Sequence, residues 1–358
     1  MAISTPKRRV QKTFNFEKSD RTPVNYFAEP TVHGRVAAAL GVSPRGDAVM
    51  EALGIDFRYV KVNYNGPLLF KEIEGLNVDA VRGNYTRWVP NENGGYEDYC
   101  NFPLKGADPE IIASFPVPSP DGFDYEAAAG YAAAMRDYAL HAGNPGIADI
   151  INTLGILMSV EDALANLATG DEATMQYIDR RMEMPLGMLS RLIEKANGVI
   201  DYIWMGEDLG TQIAPLISPK MYRELLRPRH QRYIDLAKSY GLPVMVHTCG
   251  ASSWVYEDFI EMGVNAVDTL QPEAAGMDPE TLKARFGGRL VFHGCISTAG
   301  PLAYGTPADV ESVVRYTLDT LMPTRGYMLA PCHTIQDNTP AENVLAMYKA
   351  AHEHGRYS

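Results

Sequence analysis

The chain has 358 residues, 46% of them apolar, which is enough to form the core of one large domain or of two ordinary ones. Its formal net charge of −12 argues against nucleic acid or an anionic membrane as a main partner, because both attract basic proteins. No apolar run reaches the roughly 18 residues of a membrane-spanning helix. The basic N-terminal residues are not followed by an apolar stretch, so we expect no signal peptide and a cytoplasmic location.

Eight short apolar runs recur along the chain, and amphipathic stretches separate the later ones. From the N-terminus they are "TPVNYF" (22–27), "IDFRYVKV" (55–62), "GIADII" (146–151), "DYIWMG" (201–206), "PVMVHT" (243–248), "VNAVDTL" (264–270), "RLVFHG" (289–294) and "GYMLAP" (326–331). Two amphipathic stretches begin with a helix-start signal, Ser218 or Thr306 followed by proline. Eight strands alternating with helices predict an α/β fold of the (β/α)8 TIM barrel type. The sequence has no GxGxxG motif after an early strand, which argues against a dinucleotide-binding sheet.

We expect a single barrel domain over residues 1–358 with an N-terminal helical segment. Residues 63–125 interrupt the pattern with a stretch rich in Tyr, Asn, Gly and Pro, which predicts an insertion with a small hairpin around Asn93-Gly94-Gly95. A long loop on a barrel often forms a lid or part of the substrate pocket. A surface insertion without such a role is equally compatible with the sequence.

One histidine and one cysteine lie two residues apart in "PVMVHTCG", where the fifth run ends. In an extended strand His247 and Cys249 point to the same side. The eighth run ends just before Cys332, and parallel barrel strands end at one common mouth, so Cys332 can meet the other two there. One imidazole and two thiolates favour zinc and leave a position open for substrate. The alternative is that these cysteines are small buried residues of the core.

Other polar residues also lie at predicted strand ends. Glu207 and Asp208 follow the fourth run, and His293 lies at the end of the seventh. The two acids are candidates for a general acid, a fourth zinc ligand or a substrate hydrogen bond, and the alternative is that they cap a loop. His293 is a candidate substrate contact or a packed, hydrogen-bonded histidine. Cys100 and Cys295 are expected to be structural.

Four stretches resemble the uroporphyrinogen decarboxylase superfamily: "GEDLGTQIAPLISPKMYRELLRPRHQRYI", "HTCG", "FHGCIST" and "GYMLAPCHTIQDNTPAENVLAMYKA". The resemblance is densest over residues 200–350 and implies the (β/α)8 barrel predicted above. Decarboxylases of this superfamily carry an arginine-rich segment after the first strand. This chain has "NYFAEP" there, with Glu29 and no arginine.

A second branch of the superfamily contains corrinoid-dependent methyltransferases with a His-x-Cys…Cys zinc motif, which His247, Cys249 and Cys332 resemble. The resemblance implies Zn2+ and a cobalamin or related corrinoid carried by a separate corrinoid-binding protein. It also implies a fourth zinc ligand or substrate contact from the vicinity of Gln271 or Asp268, and the sequence does not choose between them.

We therefore expect a zinc-dependent methyltransferase that moves a methyl group from a small methylated donor, such as an aryl methyl ether, to the Co(I) of a corrinoid protein. The alternatives are transfer from a methyl-corrinoid to a coenzyme M-like thiol or to folate, a decarboxylase, and a non-enzymatic metal or corrinoid chaperone. Barrels of this class often self-associate, so a homodimer is expected.

Two features favour the demethylating direction. The chain departs from the coenzyme M methyltransferases, because the spacing from Cys332 to "NTP" is one residue longer and His333 replaces their usual glycine. The insertion is also rich in aromatic residues, which either line a pocket for a ring or pack on the surface. These residues are Tyr64, Tyr85, Trp88, Tyr96 and Tyr99.

Overall fold

A sheet of parallel strands forms the centre of the molecule. The computed structural model describes residues 4–92 and 94–358. The strands are β1 (Phe57–Tyr59), β2 (Asn77–Val78), β3 (Tyr85–Val89), β4 (Tyr96–Cys100), β5 (Ala139–Ala142), β6 (Tyr202–Gly206), β7 (Val244–His247), β8 (Ala266–Leu270), β9 (Val291–Ile296) and β10 (Tyr327–Pro331). Seven of them pair in parallel in the order β1-β5-β6-β7-β8-β9-β10, and β2, β3 and β4 form a separate antiparallel sheet.

The first predicted strand, residues 22–27, closes this sheet into a barrel. The N–H of Leu329 in β10 donates to the carbonyl of Pro23 (2.9 Å), and the N–H of Asp56 beside β1 donates to the carbonyl of Val24 (3.0 Å). The segment pairs through single bridges, and Pro23 has no N–H to extend the ladder. The closed sheet confirms the predicted (β/α)8 fold.

The third strand was predicted at the wrong place. Residues 146–151 form a loop and the start of a helix, and the strand is instead β5, whose four residues are all buried. Asp149 caps the helix, because its side chain accepts the N–H of Asn152 at 3.0 Å. A capping aspartate before an apolar run is a helix-start signal, which the run of Ile and Ala residues concealed.

Helices follow most barrel strands and cover the outside of the sheet. Their bounds are α1 (Pro6–Phe14), α2 (Pro30–Leu40), α3 (Ala48–Ala52), α4 (Pro109–Ser114), α5 (Tyr125–Ala134), α6 (Ile150–Met158), α7 (Val160–Thr169), α8 (Glu172–Ala196), α9 (Pro219–Met221), α10 (Arg227–Ser239), α11 (Tyr256–Met262), α12 (Pro279–Phe286), α13 (Pro301–Tyr304), α14 (Pro307–Leu321) and α15 (Ala341–His354). The helix starts predicted at Ser218 and Thr306 are confirmed, because both side chains accept an N–H of the first turn. None of the described helices combines the length and apolar character needed to cross a membrane.

One end of the barrel is closed by its own side chains and by α1. The inner cluster contains buried residues from every strand of the parallel sheet and one from α1: Val10, Phe57, Ala139, Tyr202, Trp204, Met245, Ala266, Val291 and Met328. Lys7 fixes α1 at the amino ends of the strands, since its N–H donates to Asp137 O (3.0 Å) and its Nζ donates to Val199 O (3.1 Å). The carboxyl ends of the strands are left for a site.

The stretch predicted as an insertion contains the small antiparallel sheet. Strands β3 and β4 pair from Tyr85 with Cys100 to Val89 with Tyr96, which confirms the predicted hairpin through its two strands. Asn93 itself lies outside the described residues. Near the hairpin tip, the side-chain amide of Asn91 donates to Asp337 at 3.0 Å, so the hairpin contacts the loop that follows β10.

Candidate metal centre at the barrel mouth

The loop after β7 carries the His-x-Cys pair and is held by side chains from both neighbouring strands. The N–H of Cys249 donates to Asp208 Oδ1 at 3.0 Å, and the N–H of Gly250 donates to Gln271 Oε1 at 2.6 Å. Gly250 has φ +70°, and a Cβ there would lie 2.4 Å from the carbonyl oxygen of Gly210, so only glycine fits this turn. Asp208 and Gln271 thus position the cysteine.

His247 lies at the end of β7 with its two ring nitrogens in different surroundings. Nδ1 lies 2.7 Å from Asp268 Oδ2, and Nε2 lies 3.4 Å from Cys249 Sγ. Burial alone would lower the pKa of His247, but the hydrogen bond and charge of Asp268 raise it above the usual value. A carboxylate on one imidazole nitrogen fixes the ring and leaves the other nitrogen for a metal.

His333 completes a group of three possible metal ligands. One ligand atom each from His247, Cys249 and His333 lies within 4.8 Å of the other two. A tetrahedral zinc with Zn–N of about 2.0 Å and Zn–S of about 2.3 Å separates nitrogen and sulfur by roughly 3.5 Å. The 3.4 Å between His247 Nε2 and Cys249 Sγ matches that separation, and a nitrogen and sulfur donor set suits zinc. The residues therefore fit a zinc ion.

Cys332 follows β10 and lies next to this group without joining it. Its Sγ lies 3.7 Å from Thr298 Oγ1, and its N–H donates to the carbonyl of Ile296 at 2.7 Å. Burial raises the pKa of Cys332 to about 11, and burial also raises that of Cys249. Both side chains therefore stay thiols at neutral pH unless a bound cation stabilises the thiolates. The structure thus places His333 in the group where the sequence predicted Cys332.

Asp268 is shared by two histidines inside the barrel. Its Oδ2 contacts His247, and its Oδ1 lies 2.5 Å from Nδ1 of His293. Asn25 donates to Nε2 of His293 at 3.1 Å, since its Oδ1 already accepts the N–H of Tyr26. His293 therefore carries its proton on Nδ1 and donates it to Asp268. This histidine is a packed, hydrogen-bonded residue that holds the carboxylate.

The neighbouring histidines keep the Asp268 carboxylate ionised, and each of its oxygens contacts one of them. Burial alone would raise its pKa, but His293 and His247 hold that pKa well below the usual range. The next residue, Thr269, also contacts His247, and it has φ +64° at an irregularity in the pairing of β8 with β9. Left-handed backbone at a non-glycine residue is strained and concentrates at functional sites. Both oxygens of Asp268 act on histidines, which makes it a positioning residue in this arrangement.

The two acids after β6 have different roles. Glu207 is buried and accepts the N–H groups of Ile150 (2.9 Å) and Ile151 (3.0 Å), which are the first of α6. It therefore caps the start of α6, whereas the alternative interpretation from the sequence had it capping a loop. Asp208 lies at the mouth, and its Oδ1 is 3.9 Å from His247 Nε2, the nitrogen that faces Cys249. Of the two, Asp208 has the position of a metal or substrate contact.

Glu207 also makes the stability of the fold depend on pH. Burial raises its pKa to about 8, and its Oε2 lies 3.2 Å from Nε2 of His230, whose own pKa burial lowers to about 4. The folded protein thus holds a carboxyl proton between pH 4.5 and 8 that the unfolded chain releases, so the stability contribution is lost as pH rises through that window.

We expect the unfolding free energy of Glu207→Gln to fall less steeply than that of the wild type between pH 5 and 8, by on the order of a few kcal/mol over the window. Chemical denaturation at several pH values measures both slopes. Glu183→Gln, which changes a surface residue of α8, should keep the wild-type slope. Equal slopes for the wild type and Glu207→Gln would contradict the assignment.

A cavity of about 430 Å³ lies beside His247 and His333 at the mouth. Its walls are mainly aromatic: Tyr26, Phe27, Phe57, Tyr59, Tyr131, His141 and Trp204. The aromatic residues of the insertion do not line it. Trp88, Tyr96 and Tyr99 are about half exposed, Tyr64 packs on Phe123, and Tyr85 is buried with its hydroxyl on Lys71 O. Of the two interpretations of these residues, packing or surface exposure is the one that fits their positions.

Sequence reasoning missed His141, which lies on β5 in the cavity wall. Its ring stacks on Tyr59 with centroids 5.0 Å apart, and Nδ1 lies 3.1 Å from the carbonyl oxygen of Gly143. Burial lowers the pKa of His141 to about 3, so the imidazole is neutral. The apolar "YALHAG" contained the signal, but the strand was assigned seven residues later on a different run.

The closed parallel sheet with polar side chains at the carboxyl ends of its strands defines a barrel of the TIM type with a site at the usual end. Residues 152–354, more than half of the chain, match the family model described as Uroporphyrinogen decarboxylase (URO-D). The chain therefore belongs to the uroporphyrinogen decarboxylase family.

Among solved structures the chain is similar to a methyltransferase from Methanosarcina mazei. The sequences are 18% identical, the TM-score is 0.67, and the likeness covers 98% of this chain and 99% of that one. At this identity the likeness establishes the shared fold. No curated protein matches the chain.

Proposed function

We propose that the protein is a zinc-dependent methyltransferase, which moves a methyl group from a small methylated molecule to the cobalt of a corrinoid on a partner protein. The observation that carries the proposal is the 3.4 Å approach of His247 Nε2 to Cys249 Sγ beside an aromatic cavity. The family and the name of the similar Methanosarcina mazei protein support it.

The residues at the barrel mouth have different proposed roles. His247 and Cys249 would hold the zinc with a third ligand from Cys332 or His333, and the bound ion would supply a Lewis acid for the atom that carries the methyl group. Asp268 orients His247, while Asp208 fixes the backbone of Cys249. The aromatic walls bind a flat apolar molecule and exclude water.

The charge of the cavity disfavours a decarboxylase of polycarboxylate substrates. Within the described residues, the side chains that line the mouth cavity include no arginine and no lysine. Several substrate carboxylates brought into this cavity would find no cation in its own walls to replace their hydration. Transfer in the opposite direction, from a methyl-corrinoid to a thiol or to folate, uses the same residues and remains the second candidate.

Free Co(I) cobalamin provides a direct test with a panel of aryl methyl ethers, methylamines, methanol and methyl thioethers. We expect the absorption of methylated cobalamin to grow with the protein and one donor class. Uroporphyrinogen turnover without zinc would instead establish a decarboxylase. Stable binding of zinc or cobalamin with no transfer from any donor, and none to a thiol or folate, would establish a metal or corrinoid chaperone.

The third ligand can be assigned by two neighbouring substitutions. We expect Cys332→Ala to lose zinc and His333→Ala to retain it, because a second thiolate neutralises the charge of Zn2+. Rotation of the Cys332 side chain away from Thr298 would turn its sulfur toward His247 and Cys249. Zinc content after dialysis against a weak chelator measures the difference. The reverse result would assign the ligand to His333, the residue that lies with the group in this structure.

A further inference from the structure

A second cavity, of about 270 Å³, adjoins the mouth cavity between the insertion and α8. The two share Tyr59 and Asn144 in their walls, and the side-chain amide of Asn144 donates to the Tyr59 hydroxyl at 2.9 Å. Most of its lining is apolar, with Ile147, Leu154, Met182, Pro185, Met188 and Leu192 among the residues. We call it the side cavity.

Two arginines, Arg82 and Arg181, line the side cavity without a carboxylate partner. Over residues 4–92 and 94–358, no acidic oxygen lies within ion-pair distance of either guanidinium group. Elsewhere in the protein, buried arginines are paired: Arg9 binds Asp20, and Arg58 binds Asp47. A half-buried guanidinium against apolar walls loses hydration that an anion would replace.

The local backbone holds the two arginines together. Asp79 Oδ1 accepts the N–H groups of Val81 (2.8 Å) and Arg82 (2.7 Å), which fixes the turn that carries Arg82. Arg181 donates from Nη1 to the carbonyl of Val81 in the same turn, at 3.3 Å. One carboxylate oxygen of Asp79 is thus engaged by backbone N–H groups, and the two arginines lie on one side of the cavity, whose lining also includes Lys61 and Asp149.

Two further features indicate a built site. A Cβ at Gly146 would lie 2.0 Å from Arg82 Nη2, so the glycine makes room for the guanidinium against the loop after β5. The hydroxyl of Tyr177, which lines the same cavity, is buried and faces the guanidinium of Arg181. This hydroxyl and the two guanidinium groups, which have no carboxylate partner, can all donate to an anion.

The geometry points to a carboxylate subsite: the side cavity takes the acid group of a small organic acid with an apolar body, held by Arg82 and Arg181. Two cations and one hydroxyl match a single carboxylate, and the apolar lining matches an aromatic or aliphatic body better than inorganic phosphate. That this acid is the methyl donor rests on the proposed function. The binding itself does not.

Calorimetric titration with 4-methoxybenzoate and its neutral analogue 4-methoxybenzamide tests the subsite. We expect wild-type protein to bind the acid at least about tenfold more tightly than the amide, and Arg82→Gln or Arg181→Gln to abolish this preference. Arg87→Gln, on an exposed strand of the same insertion, should retain it. The titrations use chelator-treated as well as untreated protein, because a carboxylate can also bind zinc.

Each outcome decides the inference. A preference for the acid that survives chelation and disappears in the arginine variants establishes the subsite. Equal affinity for acid and amide overturns it, as does a preference that the Arg82→Gln/Arg181→Gln double variant retains. A preference that is lost on chelation alone places the carboxylate on the metal and also overturns it. Tight binding of the acid, with no methyl transfer from any donor of the panel to Co(I) cobalamin and none to a thiol or folate, would contradict the proposed function and leave the subsite standing.

Discussion

Cys249→Ala protein, purified without a histidine tag, is expected to contain no zinc and to lose methyl transfer by more than about a hundredfold, whereas the wild type carries about one zinc per chain. Substitution of groups that merely orient a ligand already costs about 10- to 100-fold, so loss of a ligand should cost more. Elemental analysis and the Co(I) cobalamin assay measure the two effects. The barrel should stay folded, because the loop is held by Asp208 and Gln271.

Cys100→Ala is the matched control for this experiment. Cys100 is a free thiol on β4 of the small sheet, opposite Tyr85. Its loss should change neither zinc content nor activity. Wild-type protein without zinc, or a Cys249→Ala variant that still binds one equivalent, would remove the metal site and the mechanism built on it.

Asp268→Asn is expected to lower the unfolding free energy by about 3–5 kcal/mol, the usual cost of removing one partner from a buried ionic group. The two carboxylate oxygens lie 2.7 Å from Nδ1 of His247 and 2.5 Å from Nδ1 of His293. In asparagine one of these oxygens is replaced by an NH2 group, which cannot accept a hydrogen bond from the imidazole that it faces. Zinc affinity should also fall about 10- to 100-fold, because His247 loses the group that orients it.

Guanidinium denaturation and a chelator competition assay measure these two effects separately. Asp98→Asn removes a partly exposed carboxylate that pairs with Arg87, and it should change stability by less than about 0.5 kcal/mol. Unchanged zinc affinity in Asp268→Asn would show that Asp268 serves the fold alone. Unchanged stability would contradict the buried network.

The sequence was enough to predict candidate site residues where they lie at the end of a strongly apolar strand. The run before His247 is buried and ends where the pattern predicted, so the barrel mouth and the His-x-Cys pair were identified together. Family resemblance then supplied the expectation for Cys332. The third strand was missed because β5 has only four residues, whereas the nearby "GIADII" is equally apolar.

Side-chain directions and long-range contacts were beyond the sequence. A periodic pattern places Cys332 and His333 at the same strand end but does not tell which of them turns toward His247. Arg82 and Arg181 are far apart in sequence and share a cavity only because α8 packs beside the insertion. The sequence makes Glu207 a candidate for chemistry because its role as a cap depends on α6, whose first two residues the pattern assigns to the end of a strand.

The attachment of the Cys249 loop to its neighbours links metal loading to assembly. The loop rests on Asp208 after β6 and on Gln271 after β8, while Asp268 of β8 sets the ring of His247. Three adjacent strands must therefore be in register before the ligand atoms converge. If the protein binds zinc as proposed, the ion would bind only after these strands have paired, and a mispaired sheet would not form the site.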